Sequence, residues 1–183
     1  GLQLWFHAHG IDESNVHKPY RPKSRGIGNS QILPYDYHLQ ADIELVFREM
    51  AEQVAIRLRR KKKKTQLVSI HASYSKIEGL PSIHCQQKIE PTQSTKVLSD
   101  TVLRLFRSKY EGGAIRQIGV FYGELVEESL QLFSLFDDPV ALEKEEKLQQ
   151  TIDRIRDQFG FTSLQKGSSL LENSRAIARS KLT

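Results

Sequence analysis

The chain has 183 residues, of which 27 are Lys or Arg and 22 are Asp or Glu, so its formal net charge is +5. A chain of this length can form one medium domain with an appendage, or two small domains, and it can bury a core without a disulfide or a structural metal ion. The single cysteine, Cys85, excludes an internal disulfide and a zinc site built on cysteine pairs, and the lack of long apolar runs or an opening signal segment favours a reducing, cytoplasmic setting.

The first twelve residues predict a short helix that ends near Gly10. Because the chain starts at Gly1 rather than Met, with this apolar helical pattern already under way, we expect it to be a piece of a longer protein. Segment 13–28 carries prolines, glycines and cations without apolar periodicity, which predicts a basic linker.

A strand is predicted over 27–33, with Pro34 closing it, and Asp36 is the predicted N-cap of the next helix. That helix, of about 23 residues, carries one apolar stripe at spacings of three and four. The stripe comprises Leu39, Ile43, Val46, Phe47, Met50, Val54 and Leu58. The lysines at 61–64 follow at the helix end, where they could grip a nucleic-acid backbone or form a solvated helix terminus; both interpretations stay open.

Alternating apolar and polar residues then predict a strand over 65–75 and another over 83–90 that ends at Pro91. A second helix begins at Ser94 or Thr95, with Val97 in its buried stripe, and a last strand is predicted over 114–122. The order strand, helix, strand, strand, helix, strand predicts an α+β fold. We expect a four-stranded antiparallel sheet with both helices on one face and the other face open and polar.

The composition changes beyond Glu124. An apolar cluster over 130–136 precedes a predicted helix that begins at Pro139, stops at Gly160 and has Leu148 and Phe159 on its apolar side. A further short helix is predicted over 168–179. The tail is therefore expected to be helical.

Charge is unevenly distributed along the chain. Up to Gly123 there are 19 Lys and Arg against 11 Asp and Glu, a balance of +8, and from Glu124 onward there are 8 against 11, a balance of -3. A basic body with an acidic tail is typical of a nucleic-acid-binding domain with a separate interaction tail, although many ordinary cytosolic domains carry a similar charge.

The sequence offers little for catalysis. Carboxylates of the body such as Asp42 and Asp100 lie singly on predicted helix surfaces, so they form no predicted magnesium site. His7 and His9 point about 200 degrees apart on a helix and cannot share a metal ion. Cys85 lies on the apolar side of its strand, which indicates a small buried hydrophobe rather than a nucleophile.

The polar side of the predicted sheet is the candidate binding surface. Hydroxyls, amides and cations suit the phosphate and sugar oxygens of nucleic acid, although a plain solvated face would have the same composition. No aromatic residue is expected there, which argues against a sheet that stacks single-stranded RNA bases. The residues are Ser69, His71, Ser73, His84, Gln86 and Lys88, flanked by the linker cations and by Arg116 or Gln117.

Several short motifs occur along the first two thirds of the chain. They are Leu4-Trp5, Ala8-His9-Gly10-Ile11-Asp12, Pro22-Lys23-Ser24, Gly26-Ile27-Gly28-Asn29-Ser30 and Arg116-Gln117-Ile118-Gly119-Val120. With the order of strands and helices, these motifs resemble the C-terminal part of a Y-family translesion DNA polymerase of the bacterial ImpB/MucB/SamB and UV-damage repair branch. The resemblance implies that 1–12 is the last thumb helix, 13–25 the basic tether, 26–123 the little finger DNA-binding domain and 124–183 a helical tail.

The resemblance also implies a function. The little finger lies in the DNA major groove along the template and primer backbones, so this chain would be a non-catalytic module that binds damaged DNA and primer-template during lesion bypass. The parent protein would be a DNA-directed DNA polymerase, but the palm with its magnesium-binding carboxylates is missing, so we expect neither polymerase activity nor a cofactor in this fragment. DNA binding would fall on Lys23, Ser24, Arg25, Ser30, Ser69, His71, Ser73, Gln86, Lys88 and Arg116.

Residues 131–136 of the tail are similar to the sliding-clamp-binding peptide of bacterial polymerases. The resemblance assigns clamp contacts to Gln131, Leu132, Leu135 and Phe136, with Phe133 as one residue more than the compact motif. The alternative is that these apolar residues pack the tail onto the body. An alternative function follows from the first interpretation, in which the chain is mainly an adaptor that docks the polymerase to the sliding clamp.

Overall fold

The computed structural model describes residues 2–12, 26–128 and 139–181, the last range with side chains from 143 onward. The helices are α1 Leu2–Ala8, α2 Gln40–Arg60, α3 Thr95–Arg107, α4 Pro139–Phe159 and α5 Ala176–Ser180, and the strands are β1 Ile27–Tyr37, β2 Lys63–Tyr74, β3 Ile83–Thr92 and β4 Ile115–Glu127. Two 3-10 turns, Phe161–Ser163 and Gly167–Leu170, connect α4 to α5. Within these ranges no helix is long and apolar enough to cross a membrane.

The four strands form one antiparallel sheet in the order β1-β4-β2-β3, and α2 and α3 pack together on one of its faces. The core lies between the helices and the inward residues of the strands, where Phe47 of α2 and Phe106 of α3 are fully buried with ring centroids 5.0 Å apart. Alternation along each strand sends every second side chain into this core. The predicted α+β architecture is confirmed.

Strand β1 corrects two sequence predictions. It continues past Pro34 to Tyr37, with a register shift between Ile32 and Tyr37, because β1 is an edge strand and an edge tolerates a residue that donates no hydrogen bond. Asp36 is not the N-cap of α2; its carboxylate instead accepts a hydrogen bond from Ser75 Oγ at 2.6 Å. The helix begins one residue after Leu39, which is exposed and lies outside the buried stripe.

The lysine run is also distributed differently from the prediction. Helix α2 ends at Arg60, Lys62 takes a left-handed turn conformation with φ 51, and Lys63 already begins β2. This early start is matched by β4, in which Glu127 is the register partner of Lys63 and forms an ion pair with it. Strand β4 therefore extends five residues beyond Tyr122, where the sequence predicted its end.

Helix α3 begins as predicted, because the Ser94 side chain caps it by accepting a hydrogen bond from the backbone N–H of Val97 at 3.4 Å. The side chain of Val97 is exposed rather than part of the buried stripe. The cap replaces a bond that the first turn of a helix cannot make internally.

The tail lies against the outer side of α2 and is held there mainly by charged groups. Asp153 accepts two hydrogen bonds from Arg59, at 2.6 and 3.0 Å, and Glu52 forms ion pairs with Arg156 at 2.8 Å and with Lys166 at 2.7 Å. The predicted apolar stripe of α4 is wrong at two positions, because Leu148 and Phe159 are exposed. In place of the short helix predicted over 168–179, the tail forms a 3-10 turn and then α5.

Candidate nucleic-acid interface

The face of the sheet turned away from α2 and α3, here called the open face, carries small and polar side chains in aligned rows. Strand register places Ser69 opposite Gln86 and Phe121, and His71 opposite His84 and Gly119. Alternation and burial assign to this face Gly28, Ser30 and Ile32 of β1, Gln117, Gly119, Phe121 and Gly123 of β4, Leu67, Ser69, His71 and Ser73 of β2, and His84, Gln86 and Lys88 of β3.

A hydrogen-bonded cluster occupies the middle of the open face. The rings of His71 and His84 lie 4.5 Å apart, centroid to centroid, across β2 and β3. Ser73 Oγ lies 3.0 Å from His71 Nε2 and 2.9 Å from Ser82 Oγ. Partial burial, and then the neighbouring His84 ring, lower the pKa of His71 from its usual value. His71 therefore carries little positive charge at neutral pH, and its neutral ring offers one N–H donor and one acceptor nitrogen beside the adjacent hydroxyls.

Phe121 corrects the prediction that the open face has no aromatic residue. Its ring lies across the β1 side of the face, where a Cβ added at Gly26 would be 2.1 Å from Phe121 Cζ and one added at Gly28 would be 2.9 Å from Phe121 Cδ2. Glycine is therefore required by close approach at these two positions. RNA is therefore not excluded by a lack of aromatic residues on this face. Because Val120 is buried, alternation along β4 places its neighbour Phe121 on the open face, so the sequence could have predicted this aromatic residue.

The predicted DNA-binding residues fall into three groups. Six of them share the open face: Ser30, Ser69, His71, Ser73, Gln86 and Lys88. Arg116 is the extra residue where β4 shifts register against β2, and it lies 3.6 Å from the carboxylate of Asp36. The tether residues Lys23, Ser24 and Arg25, and the clamp-peptide residues Gln131, Leu132, Leu135 and Phe136, lie outside the described residues.

The open face carries little net charge, because its cation Lys88 lies beside a carboxylate. The side chain of Lys88 is 76% exposed, and its ammonium lies 3.1 Å from the carboxylate of Glu124. No group of three or more His, Cys, Asp or Glu side chains that could hold a metal ion occurs within 2–12, 26–128 and the described tail. Cys85 lies on the other face of β3, packed against the core. This arrangement is suited to oxygen-rich ligands held mainly by hydrogen bonds.

Residues 24–134 match the model of the impB/mucB/samB family C-terminal domain, which includes the whole sheet and both helices behind it. The chain belongs to this family. The open face is thus one side of an impB/mucB/samB C-terminal domain, and the resemblance seen in the sequence motifs is confirmed.

Two relatives match the chain over nearly its whole length. It is 34% identical over 184 residues to the putative UV-damage repair protein UvrX of Bacillus subtilis, covering 100% of this chain, and 32% identical over 182 residues to DNA polymerase IV 2 of Halalkalibacterium halodurans, covering 99%. In both cases the chain spans only 44% of the relative's length. Among solved structures, a complex of the beta-clamp processivity factor and the little finger domain of PolIV matches with TM-score 0.46 and 12% identity, over 62% of this chain and 100% of that chain.

Proposed function

We propose that this chain is the non-catalytic, DNA-binding little finger portion of a translesion DNA polymerase. The observation that carries the proposal is the open face, which places six predicted contact residues together on a sheet whose other face is closed by α2 and α3. Membership of the impB/mucB/samB family, with relatives named as a DNA polymerase and a UV-damage repair protein, supports DNA as the ligand. Nucleotidyl transfer belongs to a palm domain elsewhere in the longer polymerase.

The chemistry of the open face suits a nucleic-acid backbone better than base edges. Ser30, Ser69 and Ser73 offer hydroxyls, and Gln86 offers an amide, which are groups that bond phosphate and sugar oxygens without reading sequence. We therefore expect DNA binding with little sequence preference and an affinity that decreases as the salt concentration rises. Both properties suit a module that binds damaged templates of any sequence.

A salt titration of a matched pair of lysine variants tests the proposal. Lys88→Ala removes a cation from the open face, whereas Lys96→Ala removes an equally exposed cation from α3 on the helical side. Affinity for a primer-template duplex is measured by fluorescence anisotropy between about 50 and 200 mM salt. We expect log affinity to fall linearly with log salt, with the slope reduced by about 0.9 in Lys88→Ala and unchanged in Lys96→Ala.

Two results would contradict the proposal. A flat salt dependence of the unmodified chain would exclude a phosphate-binding face. Equal losses in Lys88→Ala and Lys96→Ala would show that the duplex responds to net charge rather than to the open face.

The second candidate function is that of an adaptor to a sliding clamp, and it rests on where the clamp-like peptide is attached. The backbone N–H of Glu128 bonds the Lys62 carbonyl at 3.2 Å, and its carboxylate accepts from Gln93 Nε2 at 2.7 Å, so the chain is fixed just before the peptide. Further along, α4 is held on the body by Glu145, which accepts a hydrogen bond from Ser94 Oγ at 2.8 Å, and by Asp153, which binds Arg59. A clamp-binding segment in this place would hold the clamp at a set position relative to the sheet.

The adaptor function predicts a selective loss. Replacing Leu135 and Phe136 together with Ala should abolish binding to a bacterial sliding clamp, because such peptides dock through apolar anchors. DNA affinity measured on the same protein should stay unchanged, which serves as the folding control. Unchanged clamp affinity in surface plasmon resonance would exclude these two residues as anchors.

A further inference from the structure

The ring of Phe121 lies flat on the open face, in a frame of three glycines. Its Cζ would be 2.1 Å from a Cβ added at Gly26, its Cδ2 2.9 Å from one added at Gly28, and its Cε1 3.1 Å from one added at Gly123. Opposite edges of the ring therefore lie close to the backbones of β1 and β4. The ring lies along the sheet rather than standing up from it, so one of its faces points outward.

The outward face of this ring is accessible to a ligand. Phe121 is 36% exposed even though its inner face lies on the sheet. Flat aromatic groups gain from offset stacking in addition to the apolar area that they bury. The ring therefore offers a binding surface for another flat, unsaturated group.

The surroundings of the ring determine which group fits. Ser69 lies directly opposite Phe121 on β2, and Gln86 follows in the same row on β3, so hydrogen-bonding groups flank the ring on that side. Among the described neighbours of the ring on this face, the apolar one is Leu67, which is half-buried. This surface is much smaller than the about 800 Å² that each partner of a specific protein interface buries. It matches one nucleotide, whose flat base adjoins a sugar and a phosphate that accept hydrogen bonds.

We propose that Phe121 is a stacking platform for an unpaired nucleobase of the bound DNA. The inference rests on the proposed DNA-binding function and adds the position of one base, with its sugar and phosphate directed towards Ser69 and Gln86. Stacking of this kind does not read sequence, because every base presents a π face. In a duplex both faces of an interior base are covered by its neighbours. The platform therefore takes a base from a single-stranded stretch, such as the template beyond a primer end.

The platform predicts a preference for DNA whose overhang carries bases. Fluorescence anisotropy compares two primer-templates that differ only in the overhang, one of thymidines and one of abasic residues with the same number of phosphates. The unmodified chain should bind the thymidine overhang at least about fivefold more tightly, the lower end of what stacking one base contributes. Phe121→Leu keeps an apolar side chain but has no ring, so it should bind the two overhangs equally.

Two further variants serve as controls. Phe6→Leu removes an equally exposed ring, 37% against 36%, at a position outside the sheet, and it should keep the preference. Phe121→Tyr keeps an aromatic ring at the platform and should also keep it. Circular dichroism of Phe121→Leu checks that the sheet is intact.

A direct measurement accompanies the comparison. Iodouracil placed in the overhang crosslinks on irradiation to an aromatic ring that stacks on it, so mass spectrometry of the complex should recover Phe121 as the crosslinked residue. Recovery of other residues without Phe121 would contradict the platform.

The affinities separate the platform from the DNA-binding function. Equal binding of both overhangs by the unmodified chain, or an undiminished preference in Phe121→Leu, would overturn the platform and leave salt-dependent DNA binding standing. A loss in Phe121→Leu that is the same for both overhangs would also overturn it, because the ring would then contact the backbone rather than a base. Lack of binding to either DNA at low salt would overturn both.

Discussion

Replacing Asp153 with Ala should weaken the docking of the tail on α2 by about 3 kcal/mol, the lower end of the cost of breaking a buried ion pair. The side chains of Arg59 and Asp153 are only 9% and 12% exposed. Without the carboxylate, the Arg59 guanidinium keeps two bonds, to the Gln93 carbonyl at 3.2 Å and Thr95 Oγ1 at 2.9 Å. Its charge then has no ion-pair partner among the described residues. Detachment of α4 exposes the guanidinium to water, so α4 should open locally more often in this variant than in the unmodified chain.

Asp157→Ala is the matched control, one turn further along the same helix. Its partner is Arg60, and the two side chains are 57% and 50% exposed, so the loss should stay below about 1 kcal/mol. Native-state hydrogen exchange of the α4 amides measures both effects, because local opening is read separately from global unfolding. Equal protection in the two variants would show that the tail is held by something other than the Arg59–Asp153 pair.

These ion pairs give the uneven charge of the sequence a structural meaning. The acidic charge of the tail predicted a segment that contacts another protein. In the structure, Asp153 and Asp157 instead form ion pairs with Arg59 and Arg60 of α2 in the same chain. Glu52 of α2 in turn binds Arg156 and Lys166 of the tail, so charges of both signs cross this contact. The described tail behaves as an extra layer of the domain.

The core and the sheet could be predicted because periodicity is a local property of the sequence. The alternation around Val68 and Ile70 and the helical stripe through Phe47 are the same patterns that the fold buries. The predictions failed where a neighbour in space decides the outcome. Pro34 is tolerated only because β1 is an edge, and Leu39 is exposed only because α2 starts after it.

The candidate site shows the same limit: what alternation along one strand determines could be predicted, and what depends on contacts between strands could not. The face of Ser69, His71 and Gln86 follows from period two, and the structure places these residues side by side. Arg116 could not be placed, because a one-residue bulge in β4 sets it apart from its neighbours. The contact between the rings of His71 and His84 could not be predicted either, because it depends on the cross-strand register of β2 and β3.

The stability of the sheet should depend most strongly on the aromatic contact behind it. Phe47 is fully buried in α2 against Phe106, whose ring also stacks on Tyr110 at 4.6 Å. Phe47→Ala removes the ring from the point where both helices meet the sheet and leaves a cavity that rigid strands cannot close. We expect a loss of about 3 to 5 kcal/mol in the free energy of unfolding, a large part of the about 5 to 15 kcal/mol that a domain has.

Urea denaturation followed by circular dichroism measures this loss of unfolding free energy. Leu39→Ala is the control, because Leu39 belongs to the apolar stripe of the sequence but not to the buried core. The apolar pattern places Leu39 and Phe47 on one face of the helix, whereas in the fold Leu39 is 67% exposed and Phe47 is 0% exposed. Leu39→Ala should therefore change the unfolding free energy by less than about 0.5 kcal/mol. Similar losses in the two variants would mean that α2 begins earlier and buries Leu39, and the N-terminal end of α2, next to the edge strand β1, would have to be redrawn.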